Sequence, residues 1–364
     1  MPDPNIFFLG STGYVGGTTL DLLLSRYPHA RVRALVRTKA KGAAIRDCFA
    51  TVTTLIGDLD STEIITSESA KADVVFNLAQ TDHHGAINAI IAGLQMSAKS
   101  RRSPAYYIQI SGAAVLCDPA LPSPGTSSDA APFDDLTGLE RVWALPATNI
   151  HRKSEHLVSS ATTEKIKTAI VCPPLIHGLG SGPDRSRLRS MQLDLLAREI
   201  LRRKRGFTVL GGANSWSCIN VRDLASAIVR LFEGAVVEPT GGEPGWGQQG
   251  YYFVESEQAS FRDMTQALVN TAVEKGWLRD GVVEGLSPEE AQEILPFGAF
   301  AWGSHAVCRA ERIRELGWRP VWPGVKETLV ETVCHHADLL KNGMGQENKL
   351  AHGGHYKVGR DLET

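Results

Sequence analysis

The stretch Ile6-Phe7-Phe8-Leu9-Gly10-Ser11-Thr12-Gly13-Tyr14-Val15-Gly16-Gly17 constrains this chain more than any other. An apolar run too short for a buried helix leads into glycines at three-residue spacing. A helical apolar pattern follows, with Leu20, Leu22, Leu23 and Leu24 toward a core. The reading is strand, tight turn, helix. Glycine lets the backbone turn sharply and lie against a pyrophosphate with no Cβ in the way. The free N–H groups and positive dipole of the helix start favour an anionic ligand. A glycine-rich loop between a strand and a helix is the context a dinucleotide fingerprint requires. Gly10, Ser11, Thr12, Gly13, Tyr14, Val15 and Gly16 are therefore the candidate cofactor-binding residues of this turn.

Further strands follow in alternation with helices. Residues 31–36 form a second strand, and the residue just past it meets the adenosine ribose in such folds. An acid there would bind the 2′-hydroxyl, whereas an arginine accommodates a 2′-phosphate. The chain offers Arg37, with Lys39 and Lys41 behind it, so NADP(H) is preferred over NAD(H). A third strand at 52–56 runs into Gly57-Asp58-Leu59, and a fourth at 73–79 ends in Asn77-Leu78-Ala79, where the cofactor would lie. Asp82 suits the cap of the next helix, and His83 and His84 read as capping or surface residues. The fifth strand spans 106–112. A Pro, Ser, Gly and Asp-rich loop at 118–135 reads as exposed, and a loop of that length is a candidate lid. A helix carries Lys153-Ser154-Glu155, and a sixth strand at 165–172 ends at Pro173-Pro174. This rhythm predicts an α/β chain with a Rossmann-type, doubly wound parallel sheet.

Beyond Pro173 the rhythm changes, which predicts a smaller C-terminal α/β unit for the substrate. The expected division is 1–172 plus about 214–235 for the dinucleotide domain and 173–213 plus about 236–340 for the substrate domain. Residues 341–364 read as a loose tail. A formal net charge of −2 gives no electrostatic reason to expect nucleic acid or an anionic membrane as partner. The six cysteines are scattered without a Cys-x-x-Cys pair, so no metal site is expected. No basic region leads into an apolar run at the start, and no window approaches a membrane span. The chain reads as cytoplasmic, with a small molecule as its partner.

Several separated landmarks now coincide: Gly10/Gly13/Gly16, Gly57-Asp58, Asn77-Leu78-Ala79, Lys153, Pro173-Pro174…Gly178, Ile219-Asn220-Val221-Arg222-Asp223-Leu224-Ala225 and Leu316-Gly317-Trp318-Arg319-Pro320. In that order they resemble the extended short-chain dehydrogenase/reductases, the group of nucleotide-sugar epimerases and dehydratases, over roughly residues 5 to 335. Ala79-Gln80-Thr81-Asp82-His83 and Ile108-Gln109-Ile110-Ser111-Gly112 are similar to a fungal, epimerase-like branch. The resemblance implies that Asp58 and Leu59 meet the adenine and that Lys153 holds the nicotinamide ribose. Ser111, Pro173, Leu175 and Ile176 then border the nicotinamide end. It also allows a homodimer built through two packed helices.

The catalytic pattern of that family breaks here. Its chemistry uses Tyr-x-x-x-Lys on one helical face, the lysine lowering the pKa of a tyrosine that exchanges a proton with the substrate. Four residues before Lys153 stands Asn149, which cannot act as that acid. The family's Ser or Thr position is Gly112, with Ser111 one residue off. His177, Ser111 and His151 are substitutes for the proton donor. His177 is preferred because it follows the Pro-Pro turn, while His151, two residues from Lys153, should point off the shared face. The expected function is an NADP(H)-dependent oxidoreductase or epimerase-like enzyme on a small carbonyl or hydroxyl compound. A cofactor-binding redox sensor and a non-redox isomerase or cyclase are the alternatives. Trp216, Trp246, Trp302 and Phe297 hint at an aromatic substrate, or are simply core.

Overall fold

Short apolar strands that cannot satisfy their backbone alone pair into one parallel sheet, and amphipathic helices between them supply the crossovers. The computed structural model describes residues 4–117, 124–237 and 242–342. Its first half runs β1 (Asn5–Leu9), α1 (Tyr14–Arg26), β2 (Arg31–Val36), α2 (Lys39–Cys48), β3 (Thr53–Ile56), α3 (Thr62–Lys71), β4 (Val74–Asn77), α4 (His84–Ala98) and β5 (Ala105–Ile110). Then come β6 (Phe133–Asp134), α5 (Leu139–Trp143), α6 (Arg152–Ser160), β7 (Ile166–Cys172) and β8 (Leu175–His177). The remainder is α7 (Met191–Arg203), β9 (Gly206–Val209), β10 (Ser215–Asn220), α8 (Val221–Val236), β11 (Tyr251–Phe253), β12 (Glu257–Ser260), α9 (Phe261–Glu274), β13 (Val283–Leu286), α10 (Pro288–Ile294), α11 (Gly298–Gly303), β14 (Cys308–Arg309), α12 (Arg312–Glu315) and α13 (Val325–Lys341).

The main sheet has the order β11-β7-β5-β4-β1-β2-β3, with every pairing parallel. The strand order reverses between β1 and β4, and open α/β sheets bind their ligands in the crevice outside the carboxyl ends at that switch. Phe7, Phe8 and Leu9 of β1 are fully buried, and Phe8 packs on Phe76, which in turn meets Phe232 of α8. The strand that ends in the glycine turn is thus fixed by the core beneath it.

Two elements depart from the division expected from sequence. Tyr251–Phe253, expected in the smaller unit, is the seventh strand of the main sheet and pairs with β7. Ser215–Asn220, expected with the dinucleotide domain, pairs instead with β8 and β12 in a separate three-stranded sheet. Both are short apolar runs, and periodicity does not say which sheet takes them. Asp135 ties β11 to the start of α12: its carboxylate accepts from the backbone N–H groups of Phe253, Glu311 and Arg312 at 2.7–2.9 Å. Burial pushes that carboxyl up to about 7, against the pull of those donors.

Of the candidate lid, residues 118–123 lie outside the described residues. The part that follows is anchored: the Gly125 N–H donates to the Gly303 carbonyl, and a Cβ at Gly125 would stand 2.1 Å from the Val209 carbonyl oxygen. Among the described residues no helix is long and apolar enough to cross a membrane. Trp216 and Trp302 are buried in the core, Trp302 edge-on to Phe207, so packing accounts for both.

Candidate functional site

The turn after β1 has the geometry its glycines anticipate. Gly10 has φ 89°, and a Cβ there would stand 2.5 Å from the Leu78 carbonyl group. At Gly16 a Cβ would meet the Gly10 carbonyl oxygen at 2.2 Å, so α1 starts as close to the turn as backbone can. Gly13 is the N-cap of α1 and places no side chain on the helix's first N–H groups. Ser11 is buried, yet its hydroxyl has no hydrogen-bond partner. An orphaned buried donor and a cradle that a Cβ would fill fit the pyrophosphate of a dinucleotide. Tyr14 is committed elsewhere, since its hydroxyl donates to the Gly178 carbonyl at 2.5 Å and burial pushes the phenol well up. Val15 is half-buried against the core.

At the adenosine end, Arg37 is exposed in the loop between β2 and α2. Lys41 lies 3.9 Å and Arg187 3.8 Å from the Asp184 carboxylate. Partial burial and then the charges of Arg37 and Arg187 push the Lys41 ammonium below its ordinary value. Asp58 uses one carboxylate oxygen to close its own turn, accepting from the Asp60 N–H and the Ser61 hydroxyl. Leu59 packs half-buried on the core. At the end of β4, Asn77 donates to the Gln109 side chain at 2.9 Å, Leu78 is buried against Gly10, and Ala79 is exposed. Pro173 and Leu175 are buried and Ile176 is half-buried.

The proton-transfer end is rewired. Ser111 donates its only hydroxyl proton to Glu155 Oε1 at 2.7 Å, and the Tyr251 hydroxyl donates to the same oxygen at 2.8 Å. The fully buried Arg152 guanidinium holds the other Glu155 oxygen at 2.5 Å. Ser111 is therefore locked into a buried polar network. Asn149, in the tyrosine's sequence position, donates its amide to the Val115 carbonyl at 2.9 Å. The helix begins only at Arg152, so Asn149 and Lys153 share no helical face. Lys153 is exposed, and its charge helps burial lower the pKa of His84.

His177 sits in β8 with 1% of its surface exposed, its Nδ1 2.9 Å from the Thr328 hydroxyl of α13. Thr328 donates its own proton to the Val325 carbonyl, so His177 Nδ1 carries the hydrogen of that contact. Burial pushes the imidazole down to about 3. Its neighbours belong to α13 and β12, not to the helix that carries Lys153.

Asp82 does not cap α4. His83 does, through Nδ1 to the Ala86 N–H. The Asp82 carboxylate instead sits 2.7 Å from His151 Nδ1 and accepts from the Ser154 hydroxyl at 2.8 Å. Burial would raise that carboxyl, but its hydrogen bonds to His151 and Ser154 hold it below its ordinary value. His151 precedes α6 with φ 71°, a left-handed conformation that carries the ring back toward the sheet. Helical spacing from Lys153 therefore says nothing about its direction, and the sequence argument against it does not hold. Its Nε2 would lie 3.4 Å from a Cβ built on Gly112. The pair spans 69 positions in sequence, and no local pattern announces it.

No family model matches the chain. Over 344 residues it is 30% identical to the oxidase UcsJ of an Acremonium species, a match covering 92% of this chain and 98% of that one. Among solved structures it is similar to UDP-glucose 4-epimerase from Thermotoga maritima with UDP-glucose, at 12% identity over 92% of this chain and 99% of that one, with a TM-score of 0.62. It is also similar to dTDP-glucose 4,6-dehydratase from Bacillus anthracis in complex with NAD, at 13% identity over 92% and 97%, with a TM-score of 0.62. The fold is that of these epimerase and dehydratase structures. The chain belongs to the family of the Acremonium oxidase.

Proposed function

We propose that this protein is an NADP(H)-dependent oxidoreductase acting on the carbonyl or hydroxyl group of a small organic compound. The observation that carries the reading is the turn at Gly10–Gly16, with its Cβ-free cradle and the unpartnered hydroxyl of Ser11. Gly10, Ser11, Thr12, Gly13 and Gly16 would hold the pyrophosphate and Asp58 the adenine. The exposed Lys153 would hold the nicotinamide ribose. A bound nicotinamide supplies hydride transfer. The name of the Acremonium relative, an oxidase, favours redox chemistry over a purely non-redox isomerase.

The preference for NADP(H) rests on charge. Lys41 and Arg187 both lie within 3.9 Å of the Asp184 carboxylate, and the charge of the exposed Arg37 acts on Lys41, so cations gather at the expected ribose end. A 2′-phosphate relieves that repulsion, and a bare 2′-hydroxyl does not. Calorimetric titration of the wild type and of Arg37→Ala with NADPH and NADH tests this. A charge-assisted contact is worth about 1.5–3 kcal/mol, so Arg37→Ala should weaken NADPH roughly 10–100-fold and leave NADH unchanged. Equal affinity for the two cofactors in the wild type would refute the NADP preference. Failure to bind either would refute the oxidoreductase reading.

A further inference from the structure

We propose that His151, oriented by Asp82, exchanges the proton with the substrate oxygen, in the role the wider group gives to a tyrosine. This rests on the oxidoreductase reading above. Four observations converge on it. The ring is nearly buried, and its backbone sits at φ 71°, a conformation that costs a non-glycine residue energy and persists only where surroundings impose it. Its Nδ1 lies against the Asp82 carboxylate at 2.7 Å, and that carboxylate is itself positioned by Ser154. Asp82 follows the carboxyl end of β4, beside the switch in strand order where ligands of such sheets bind. Finally, Nε2 faces Gly112, at van der Waals distance (3.4 Å) from where a Cβ on that residue would stand. The resemblance drawn from the sequence expects a Ser or Thr at Gly112, and the imidazole edge lies against that position.

The competing groups are already committed. Ser111 gives its proton to Glu155, Asn149 gives its amide to the Val115 carbonyl, and His177 is bound to Thr328 in another sheet. A histidine whose Nδ1–H is held by a carboxylate presents Nε2 in the correct tautomer for proton exchange. During reduction a bound nicotinamide would supply the hydride that the carbonyl carbon takes up as its new C–H bond. The C=O π pair moves onto oxygen, which takes the proton from Nε2 of the imidazolium. The substrate is reduced to an alcohol, the nicotinamide is oxidised, and His151 is left neutral, its Nδ1–H still donating to Asp82. Solvent restores the Nε2 proton. Oxidation runs the same steps in reverse. Asp82 touches no reacting atom and is a positioning residue.

His151→Gly is the informative variant, since glycine accepts the left-handed backbone and leaves room for free imidazole. Turnover is read as NADPH consumption with para-nitrobenzaldehyde as probe. The variant should keep the wild-type melting profile and NADPH affinity, lose roughly 100-fold or more in kcat, and regain activity with added imidazole. Asp82→Asn should lower kcat by a smaller factor. A second readout needs no ligand: in protein labelled with nitrogen-15 histidine, the His151 Nδ1 should carry a proton, and Asp82→Asn should change its tautomer. Wild-type turnover in His151→Gly, no rescue by imidazole, or an unprotonated Nδ1 would overturn the proposal while leaving cofactor binding intact. A wild type that binds NADPH but never reduces the probe, with or without imidazole, overturns it too. A wild type that does not bind NADPH removes the reading beneath it.

Discussion

The two ends of the crevice are built on different principles. The nucleotide end is made of backbone: Gly10 and Gly16 press against carbonyl groups, Gly13 leaves the helix start open, and no side chain is needed for the shape. The end proposed for proton transfer is made of side chains from the segments after β5 and β4 and the start of α6, with Ser111 and Asp82 held by partners 44 and 69 positions away. Backbone geometry tolerates almost no substitution, whereas side-chain chemistry can be reassigned one residue at a time. On the proposed reading, the scaffold keeps its cofactor cradle intact while the acid moves to another position.

The largest effect should come from attacking the backbone end. In Gly16→Ala the new methyl group would stand 2.2 Å from the Gly10 carbonyl oxygen, with only backbone to move aside. We expect a cost above about 4 kcal/mol, the range of exceptional substitutions. Thermal melts should show the loss of stability, and titration should show no NADPH binding by whatever remains folded. Wild-type binding by this variant would break the comparison, because the cradle would then be plastic.

A smaller effect should separate structure from chemistry at the other end. Glu155→Gln removes the anion that faces the fully buried Arg152 and accepts from Ser111 and Tyr251. Leaving a buried charge without its partner costs about 3–5 kcal/mol. Denaturant unfolding should read that loss, while the NADPH affinity of the folded fraction stays unchanged. If stability held and only turnover fell, Ser111 and Glu155 would belong to the chemistry rather than to the scaffold.

This contrast also explains what the sequence could convey. The strand, turn and helix at residues 6–24 are local, so glycine spacing and leucine periodicity disclosed both the fold and the turn. The six alternating strands and their parallel, doubly wound sheet followed from the same rhythm. The placement of Tyr251–Phe253 and Ser215–Asn220 did not, because a short apolar strand carries no mark of the sheet it joins. The side-chain pairs were hidden for a related reason. Asp82 reads as a helix cap until His83 takes that role, and the direction of His151 depends on a positive φ that no spacing rule anticipates. The same limit made His177 attractive: its place after the Pro-Pro turn is visible in the sequence, but its burial against Thr328 is not.

His177 therefore offers the mildest test, one that distinguishes a buried structural histidine from a working one. Folded, its imidazole is pushed down to about 3 by burial. Unfolded, it takes a proton near pH 6.5. Between those values the unfolded chain binds the extra proton, so stability is intact above about pH 6.5 and declines as pH falls. From pH 7 to pH 5 the decline should reach about 2 kcal/mol at most. His177→Leu loses the Thr328 hydrogen bond, which lowers stability at neutral pH, but it also removes the titrating group. Its stability should therefore change less than that of the wild type over the same interval. Denaturant unfolding at several pH values reads both slopes. Parallel curves for the two proteins would mean that His177 is protonated in the folded state, and it would then return as a candidate acid beside His151.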